Sequence, residues 1–398
     1  MIRLIAAIFA VAGVLSLGGA NAAAQSTRDV VWVQWEADGQ PHARAIVHGA
    51  TCPNLVAGSA TVPMAERSAP GSGFADRVCD APLPANAANA RIGSTRLPVI
   101  PRAPQRIVLF GDTGCRLKGA EVQACNDATA WPFPTIAKDI AAAHPDLVIH
   151  VGDYYYRESP CPSTVDCTNS PHGDNSDSWM ADYFAPMAPV FAVAPVVNVR
   201  GNHEDCKRGA LGWPRYLSGL PQAACIAHEP PEFATFDNLL VGDVDDATEV
   251  TGTQAVPPVW TGDLALVDAR AAAAHRETWL VSHRPAVTYL FTHEKSAPSG
   301  NIDAFISGHI HLFGAYSFPG EAPQVIVGMG GDNLASDSET QMLAPLGGTT
   351  DRRFGYALFQ RDGNGWAIEV HDADTSLHRR CRLAERAISC GPALTGTR

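Results

Sequence analysis

Carboxylate, phenol, amide and imidazole side chains recur in this sequence at the ends of short apolar runs. Each run is typical of a buried strand, and the residues after it carry oxygen or nitrogen atoms that bind metal ions. Five segments follow this pattern: Gly111-Asp112-Thr113-Gly114, Asp153-Tyr154-Tyr155-Tyr156, Gly201-Asn202-His203-Glu204, Ser282-His283 and Gly308-His309-Ile310-His311. Because parallel strands present their carboxyl ends at one edge of a sheet, we expect one site there.

The type of ligand atoms limits the chemistry of such a site. A mixed oxygen and nitrogen set suits Fe(III), Mn, Zn or a pair of such ions, and too few soft ligands are present for copper chemistry. Two metal ions roughly 3.5–4 Å apart clamp a phosphoryl oxygen and supply a hydroxide that attacks phosphorus without a protein nucleophile. A serine hydrolase is the competing class of enzyme, but the sequence has no Gly-x-Ser-x-Gly segment.

The elements that position these side chains follow from the apolar pattern. Strands are predicted at 107–110, 147–149, 196–199, 239–241, 279–281 and 304–306, and helices over 135–143, 177–187 and 263–277. After His311 the chain is richer in strands, at 324–328, 356–359 and 366–370, with a hairpin turn at 362–365. The alternation of strands and helices in the central half predicts an α/β fold.

Length and composition divide the chain further. The apolar segment 4–20 follows Arg3 and ends in small residues, which predicts a signal peptide over 1–24; a buried first helix is the alternative. Short strands at 30–35 and 42–47 predict a small N-terminal β domain over 25–100, which a Pro-containing linker at 97–104 ends. Residues 101–398 are then the catalytic domain with its C-terminal strands.

The charge balance bears on possible partners. The formal net charge is −12, and no basic patch for nucleic acid is visible. A phosphate site in such a chain must carry its own positive charge, which favours metal ions. Apart from the leader, no segment predicts a membrane anchor, and the oligomeric state is left open.

The ten cysteines are interpreted together with the leader. An even number in an exported chain favours disulfides, and no Cys-x-x-Cys pair suggests a zinc cluster. Local spacing favours the pairs Cys52–Cys79, Cys115–Cys125, Cys161–Cys167, Cys206–Cys225 and Cys381–Cys390, although spacing alone leaves the connectivity open. A secreted or periplasmic protein is expected.

Taken in order, the motifs Gly-Asp-Thr-Gly, Gly-Asp-Tyr-Tyr-Tyr, Gly-Asn-His-Glu, the His283 strand and Gly-His-Ile-His resemble those of the calcineurin-like metallophosphoesterases. The Gly-Asp-x-x-Tyr form is similar to the purple acid phosphatase branch. The motifs span residues 111–311, about half of the chain. The resemblance implies an α/β fold built as a four-layer α/β/β/α sandwich, two metal ions and small phosphate-ester substrates.

The resemblance also implies a role for each candidate residue. It assigns a ferric ion to Asp112, Asp153, Tyr156 and His311. It assigns a divalent ion (Fe, Zn or Mn) to Asn202, His283 and His309, with Asp153 as the bridge. His203 corresponds to a residue that contacts the phosphate and protonates the leaving group, and His293 resembles a second histidine outside the metal ligands. Leu280 replaces the Val of the family's Val-x-x-His block, which is a conservative change.

Several of these residues have a second interpretation. The tyrosines at 154–156 could form only an amphipathic rim, and His293 a surface histidine. Glu204 is interpreted as a structural hydrogen-bond acceptor rather than an acid catalyst. The acidic turn at 243–246 is interpreted as a solvated loop rather than a second metal site.

Three functions follow from these observations. The first is a secreted metallophosphatase that hydrolyses phosphate monoesters. The second is a phosphodiesterase or nucleotidase on the same scaffold, because the loops over 157–178 and 207–262 would set the specificity. The third is a binding protein without turnover, which the complete set of ligands disfavours.

Overall fold

The structure is a computed structural model that describes residues 29–84, 87, 89–221, 224–248, 258–286 and 300–394. The predicted leader over 1–24 and the candidate residue His293 lie outside these described residues.

The strands are numbered in chain order. The N-terminal strands are β1 (Val30–Trp35), β2 (Pro41–Val47), β3 (Asn54–Ala57), β4 (Ala60–Pro63), β5 (Ala65–Ser68), β6 (Arg77–Pro82), β7 (Arg91–Ile92) and β8 (Thr95–Arg96). The central strands are β9 (Arg106–Phe110), β10 (Leu117–Lys118), β11 (Glu121–Val122), β12 (Leu147–His150), β13 (Val196–Asn198), β14 (Glu232–Thr235), β15 (Leu239–Val244), β16 (Glu277–Ser282) and β17 (Ala304–Ser307). The C-terminal strands are β18 (Phe313–Tyr316), β19 (Gln324–Val327), β20 (Thr349–Asp351), β21 (Gly355–Asp362), β22 (Gly365–Asp372), β23 (Leu377–Ala384) and β24 (Ala387–Cys390).

The described residues contain fewer helices than strands. The α-helices are α1 (Phe133–Ala142), α2 (Ser176–Trp179), α3 (Ala185–Phe191), α4 (Gly212–Tyr216), α5 (Pro258–Ala274) and α6 (Asp337–Leu343). The helix predicted over 177–187 is interrupted, because a π-helical turn, Met180–Phe184, separates α2 from α3. The last predicted helix begins earlier than expected, at Pro258, since proline is tolerated in a first turn.

The first sheet has eleven strands in the order β24-β23-β22-β21-β9-β12-β13-β1-β2-β6-β5. At its centre β9, β12 and β13 are parallel, as expected for strands that present their carboxyl ends together. The side chains of β9 alternate between the two faces of the sheet. Ile107 and Leu109 contact the second sheet, whereas Val108 and Phe110 contact helices.

The second sheet has seven strands in the order β14-β15-β16-β17-β19-β18-β20. Its neighbours β15, β16, β17 and β19 are parallel to one another. The core between the sheets combines Ile149 and Val197 of the first sheet with Val281 and Ile306 of the second, all buried. The two sheets therefore form the middle layers of a sandwich.

Helices cover the outer faces of both sheets. Ile136 of α1 and Val190 of α3 pack in one cluster with Val108 on the first sheet. Val267 of α5 packs with Leu280 on the second sheet. The predicted four-layer α/β/β/α architecture is confirmed.

The N-terminal segment is built from strands, as predicted, and half of them continue the first sheet. β1 pairs with β13, and β2, β6 and β5 follow it outward, whereas β3, β4, β7 and β8 form a separate small sheet. The fully buried Arg44 and its neighbour Arg67 donate to the carbonyl of Ser218, and Arg67 also to that of Leu220. These bonds fix the chain downstream of the His203 loop. A domain boundary near residue 100 stays a prediction.

All five disulfides expected from spacing are present, and no cysteine is free. Cys115–Cys125, Cys161–Cys167 and Cys206–Cys225 close loops that follow β9, β12 and β13. Three loops at the same edge of the sheet are thus cross-linked.

None of the helices in the described part of the chain combines the length and the apolar character of a bilayer-spanning helix.

Candidate metal centre

The five predicted segments meet at the carboxyl edge of the two sheets. Each follows its strand within a few residues: Asp112 follows β9, Asp153 and Tyr156 follow β12, Asn202 and His203 follow β13, His283 follows β16, and His309 and His311 follow β17. The structure therefore brings together all seven predicted ligands, and Asp112, Asp153 and His283 have ligand atoms within 4.8 Å of one another. Which of the seven hold metal stays a prediction.

Tyr156 lies at the centre of one half of the site. Its hydroxyl is 2.7 Å from Oδ2 of Asp153, 3.2 Å from Nε2 of His311 and 3.4 Å from Oδ1 of Asp112. The side chain is fully buried, so it does not form the amphipathic rim considered as the alternative. One phenol, two carboxylates and one imidazole converge on a single point.

His283 lies at the centre of the other half. Its Nε2 is 3.2 Å from Oδ2 of Asp153 and 3.1 Å from Oδ1 of Asn202. Its Nδ1 lies 2.8 Å from the carbonyl oxygen of Val151. A proton on Nδ1 donated to this carbonyl leaves the Nε2 lone pair directed at the site, which is the usual arrangement of a metal-binding histidine.

The two histidines of the last motif are placed differently. Nδ1 of His311 lies 2.6 Å from the carbonyl oxygen of Asn333, which directs Nε2 towards Tyr156. The backbone N–H of His309 donates to the carboxylate of Asp112, and its ring lies 5.1 Å from the His283 ring, centroid to centroid. Both rings therefore border the site from the second sheet.

The backbone of the site is strained at three of the candidate ligands. Asp112, Asp153 and His309 have φ angles of 57°, 59° and 67°, in the left-handed region that few residues other than glycine adopt. Such strain concentrates at functional sites, where the surrounding structure maintains it. Close approach adds a second constraint, because a Cβ on Gly201 would lie 2.2 Å from the Asp153 nitrogen.

The electrostatics of the site fit metal ions. Burial would lower the pKa of both imidazoles, but Asp153 raises the pKa of His283 to about 10. Likewise Asp332 and Asp112 raise the pKa of His311 to about 9. Neither Asp112 nor Asp153 has a Lys or Arg ion-pair partner among the described residues. Because buried carboxylates need compensating charge, these groups suit cations that displace the imidazole protons.

Glu204 fixes the loops that carry these residues. Its Oε2 accepts from the backbone N–H groups of Asp153 and Gly201, and its Oε1 from those of Tyr154 and Tyr155. The side chain is fully buried. The interpretation of Glu204 as a structural acceptor is confirmed.

Glu204→Gln is therefore expected to destabilise the fold. The amide NH₂ of glutamine would face two backbone donors, and each unsatisfied buried donor costs about 1–3 kcal/mol. We expect a loss of about 2–5 kcal/mol in the free energy of unfolding, measured by urea denaturation of the oxidised protein. Glu385→Gln, at an exposed position between β23 and β24, is the matched control. A variant as stable as the wild type would contradict this role.

Several residues that support the site are not evident from the sequence. Asp182 lies in the π-helical turn, and its carboxylate accepts from the backbone N–H groups of Cys115 and Tyr156 and from Arg157. Because such turns widen a helix locally, the turn explains how Asp182 reaches two loops at once. No periodic pattern in the sequence indicates this break.

Arg116 and Asp332 form a second supporting pair. The Arg116 guanidinium lies 4.9 Å from the centroid of the Tyr156 ring, and its Nε is 2.9 Å from Oδ2 of Asp332. The backbone N–H of Asp332 donates to the carbonyl of Asp112. The two residues are 216 positions apart, so spacing could not predict the pair.

The acidic turn at 243–246 was expected to be solvated, and this interpretation is wrong. Asp243 lies in β15, where its Oδ1 atom is buried, and the other two aspartates are buried as well. Asp245 and Asp246 are 6% and 0% exposed. Asp246 accepts from the backbone N–H groups of His283 and Arg284, and Asp245 pairs with Arg200 at 2.9 Å. Hydrogen bonds from backbone N–H groups and a guanidinium replace the hydration of these carboxylates. The turn therefore holds the His283 and Asn202 loops in place.

His203 borders the site without joining the predicted ligands. Its ring lies 3.8 Å from the Tyr156 ring, centroid to centroid, and its backbone N–H donates to Oδ1 of Asp153. Its Nδ1 is 2.8 Å from Oε1 of Glu158, a residue that the sequence did not single out. The second predicted catalytic residue, His293, lies outside the described residues, so its role stays a prediction.

The chain matches one protein family model and resembles several solved structures in fold. A family model described as calcineurin-like phosphoesterase matches residues 105–313, more than half of the chain. Purple acid phosphatase PPD1 from yellow lupin (Lupinus luteus) seeds aligns with a TM-score of 0.57 and 14% identity, over 90% of this chain and 74% of its own. PhoD aligns with a TM-score of 0.57 and 10% identity, over 92% of both chains. These identities show similarity of fold alone. No curated protein sequence shows significant similarity.

Proposed function

The chain belongs to the calcineurin-like phosphoesterase family, and from this we propose that it is a secreted phosphatase that hydrolyses phosphate monoesters with two metal ions. The position of Asp153 carries the proposal. Its Oδ2 lies 2.7 Å from the Tyr156 hydroxyl in one half of the site and 3.2 Å from His283 Nε2 in the other. One carboxylate oxygen that contacts both halves is placed to bridge two ions.

The ligand atoms around each half of the site determine which ion that half would hold. Asp112, Asp153, Tyr156 and His311 would hold Fe(III), because phenolate and carboxylate oxygens are hard ligands. Asp153, Asn202, His283 and His309 would hold a divalent ion of Fe, Zn or Mn. When bound, the pair would polarise the phosphoryl oxygens and lower the pKa of a coordinated water, which supplies the nucleophile.

The protein's own residues then handle the leaving group. His203 lies beside Tyr156 and contributes no atom to the group of Asp112, Asp153 and His283, so its imidazole is available to donate a proton. A proton delivered to the ester oxygen lets the leaving group depart as an alcohol rather than as an alkoxide. We assign His203 as the general acid, and His293 stays a second candidate from the sequence.

Secretion is supported by two observations. Five disulfides persist in oxidising compartments rather than in the cytosol. The apolar segment after Arg3 has the composition of a signal peptide. The chain would therefore act outside the cytoplasm, in the periplasm or the medium.

Metal analysis combined with ester assays tests the proposal. We expect about two metal ions per chain and a higher kcat/KM on 4-nitrophenyl phosphate than on bis(4-nitrophenyl) phosphate. A higher value on the diester would favour the phosphodiesterase alternative. A metal-loaded protein without activity on either ester would contradict the proposed enzyme.

Tyr156→Phe tests the ferric ion. Burial and the charge of Asp153 raise the pKa of Tyr156 well above its usual value, so a phenolate forms here only against a strong cation. We expect a purple or pink wild type whose visible band is absent from Tyr156→Phe and retained in Tyr155→Phe, a buried neighbour. Visible spectra with metal analysis decide this. A colourless wild type with only Zn or Mn would refute Fe(III) and leave two-metal hydrolysis intact.

A further inference from the structure

Arg284 follows the candidate ligand His283, and its guanidinium lies beside another candidate ligand. Its Nη1 donates to Nε2 of His309 at 3.1 Å. Its Nε donates to the carbonyl oxygen of Asp246 at 3.0 Å, and the carboxylate of Asp246 accepts from its backbone N–H. The side chain is half-buried. Asp246 therefore anchors this residue, while the end of its guanidinium borders the candidate metal centre.

The charge of Arg284 is not matched as it is for four other arginines in the loops after β9, β12 and β13. Those four each have an acidic partner: Arg116 with Asp332, Arg157 with Asp182, Arg200 with Asp245 and Arg208 with Glu158. In the described part of the chain, the guanidinium of Arg284 donates to a carbonyl and an imidazole and forms no ion pair with a carboxylate. A guanidinium of this kind is available to bind an anion.

The contact with His309 would end once this histidine holds a metal ion. An imidazole that binds metal through Nδ1 carries its proton on Nε2, and an imidazole that binds through Nε2 uses that lone pair. In both cases Nε2 no longer accepts from the guanidinium of Arg284. Because Nε remains bonded to the carbonyl of Asp246, the terminal nitrogens then need another acceptor at this edge of the site.

The unesterified oxygens of the substrate can supply that acceptor, and their number differs between the two classes of ester. A phosphate monoester has three such oxygens and a phosphate diester has two. If each of the two proposed ions binds one of them, a third oxygen remains on the monoester and none on the diester. The monoester also carries about one more negative charge at pH 7. A guanidinium at this position would therefore favour monoesters.

We propose that Arg284 is a substrate-binding residue that holds the third unesterified oxygen of a phosphate monoester and so sets the preference for monoesters over diesters. The inference rests on the proposed function, since it assumes ester hydrolysis with two ions at this site. Arg284 supplies positive charge and hydrogen-bond donors, and it takes no part in proton transfer. Its removal should weaken the recognition of monoesters far more than that of diesters.

Arg284→Gln removes the charge and keeps a side-chain donor. We expect kcat/KM on 4-nitrophenyl phosphate to fall about 10–100-fold, the range for loss of a hydrogen bond between charged groups. On bis(4-nitrophenyl) phosphate the loss should stay below about threefold, and the metal content should be unchanged. Arg96→Gln, which changes an exposed arginine of β8, is the matched control. Equal losses on the two esters, or a loss of metal, would assign Arg284 to support of His309 and overturn the proposal.

Binding of inorganic phosphate gives a readout that does not depend on turnover. Calorimetric titration of the metal-loaded protein with phosphate should give a Kd about 10–100-fold weaker for Arg284→Gln than for the wild type. Arg284→Lys should lie between the two, because lysine keeps the charge and lacks the planar pair of donors. Urea denaturation checks that each variant is folded. Any other order of the three affinities would overturn the proposal.

The inference and the proposed function fail in different ways. If the wild type binds metal and hydrolyses neither ester, the proposed function fails, and the order of phosphate affinities then decides whether Arg284 binds the anion. If the wild type hydrolyses the monoester and Arg284→Gln binds phosphate as tightly as the wild type, the role of Arg284 fails and the proposed function stands.

Discussion

Asp153→Ala is expected to lose bound metal and ester hydrolysis together, with turnover reduced by at least about 10³-fold. The physical reason is the position of one oxygen. Oδ2 of Asp153 contacts the Tyr156 hydroxyl and His283 Nε2, so its removal takes a ligand from both proposed ions. Because the two half-sites share this ligand, its removal should weaken the binding of both ions. Metal content and activity should therefore fall in parallel.

The design of this test must separate metal loss from misfolding. Asp153 has φ 59°, where alanine is strained and asparagine is tolerated. Asp153→Asn keeps the shape of the side chain and removes its charge, so it should fold as the wild type and still bind less metal. Asp237→Ala, at an exposed turn, is the matched control. Full metal occupancy in a folded Asp153→Asn variant with normal turnover would contradict the bridging assignment.

The position of the site was predictable because local patterns encode it. Each candidate ligand follows an apolar run within a few residues. Strands β9, β12 and β13 of the first sheet and β16 and β17 of the second present these residues at their carboxyl ends. The residue types then restrict the ions, since carboxylate, phenol, amide and imidazole atoms are hard or borderline ligands. Spacing also predicted the five disulfides, because each closes a short loop.

The residues that support the ligands were not predictable, because no local pattern encodes them. Asp246 and Asp332 are bonded to residues 37 and 216 positions away, and no local pattern distinguishes them from solvated acidic residues. The same limit applies to the N-terminal strands. The apolar run of β1 predicts a strand but does not reveal that this strand pairs with β13, a partner far along the chain. Burial and partner identity are properties of the assembled sheets.

His203→Ala is expected to fail in a different way from Asp153→Ala. The variant should keep its metal content, because the contact that ties this loop to Asp153 comes from the backbone N–H of residue 203, which alanine retains. Turnover should fall about 10²–10⁴-fold, the range expected on removal of a general acid. A metal-depleted His203→Ala variant would instead place His203 among the residues that hold the ions.

The leaving group decides between the two roles left for His203. If it donates a proton, the loss should be largest for phenyl phosphate and shrink for 4-nitrophenyl phosphate, whose phenolate leaves readily without a proton. If it only binds the phosphate, both esters should lose the same factor, because the phosphoryl group is common to them. His48→Ala, an exposed histidine after β2, is the control for loss of an imidazole. Equal losses on the two esters would remove His203 from the acid role and leave it as a residue that binds the phosphate.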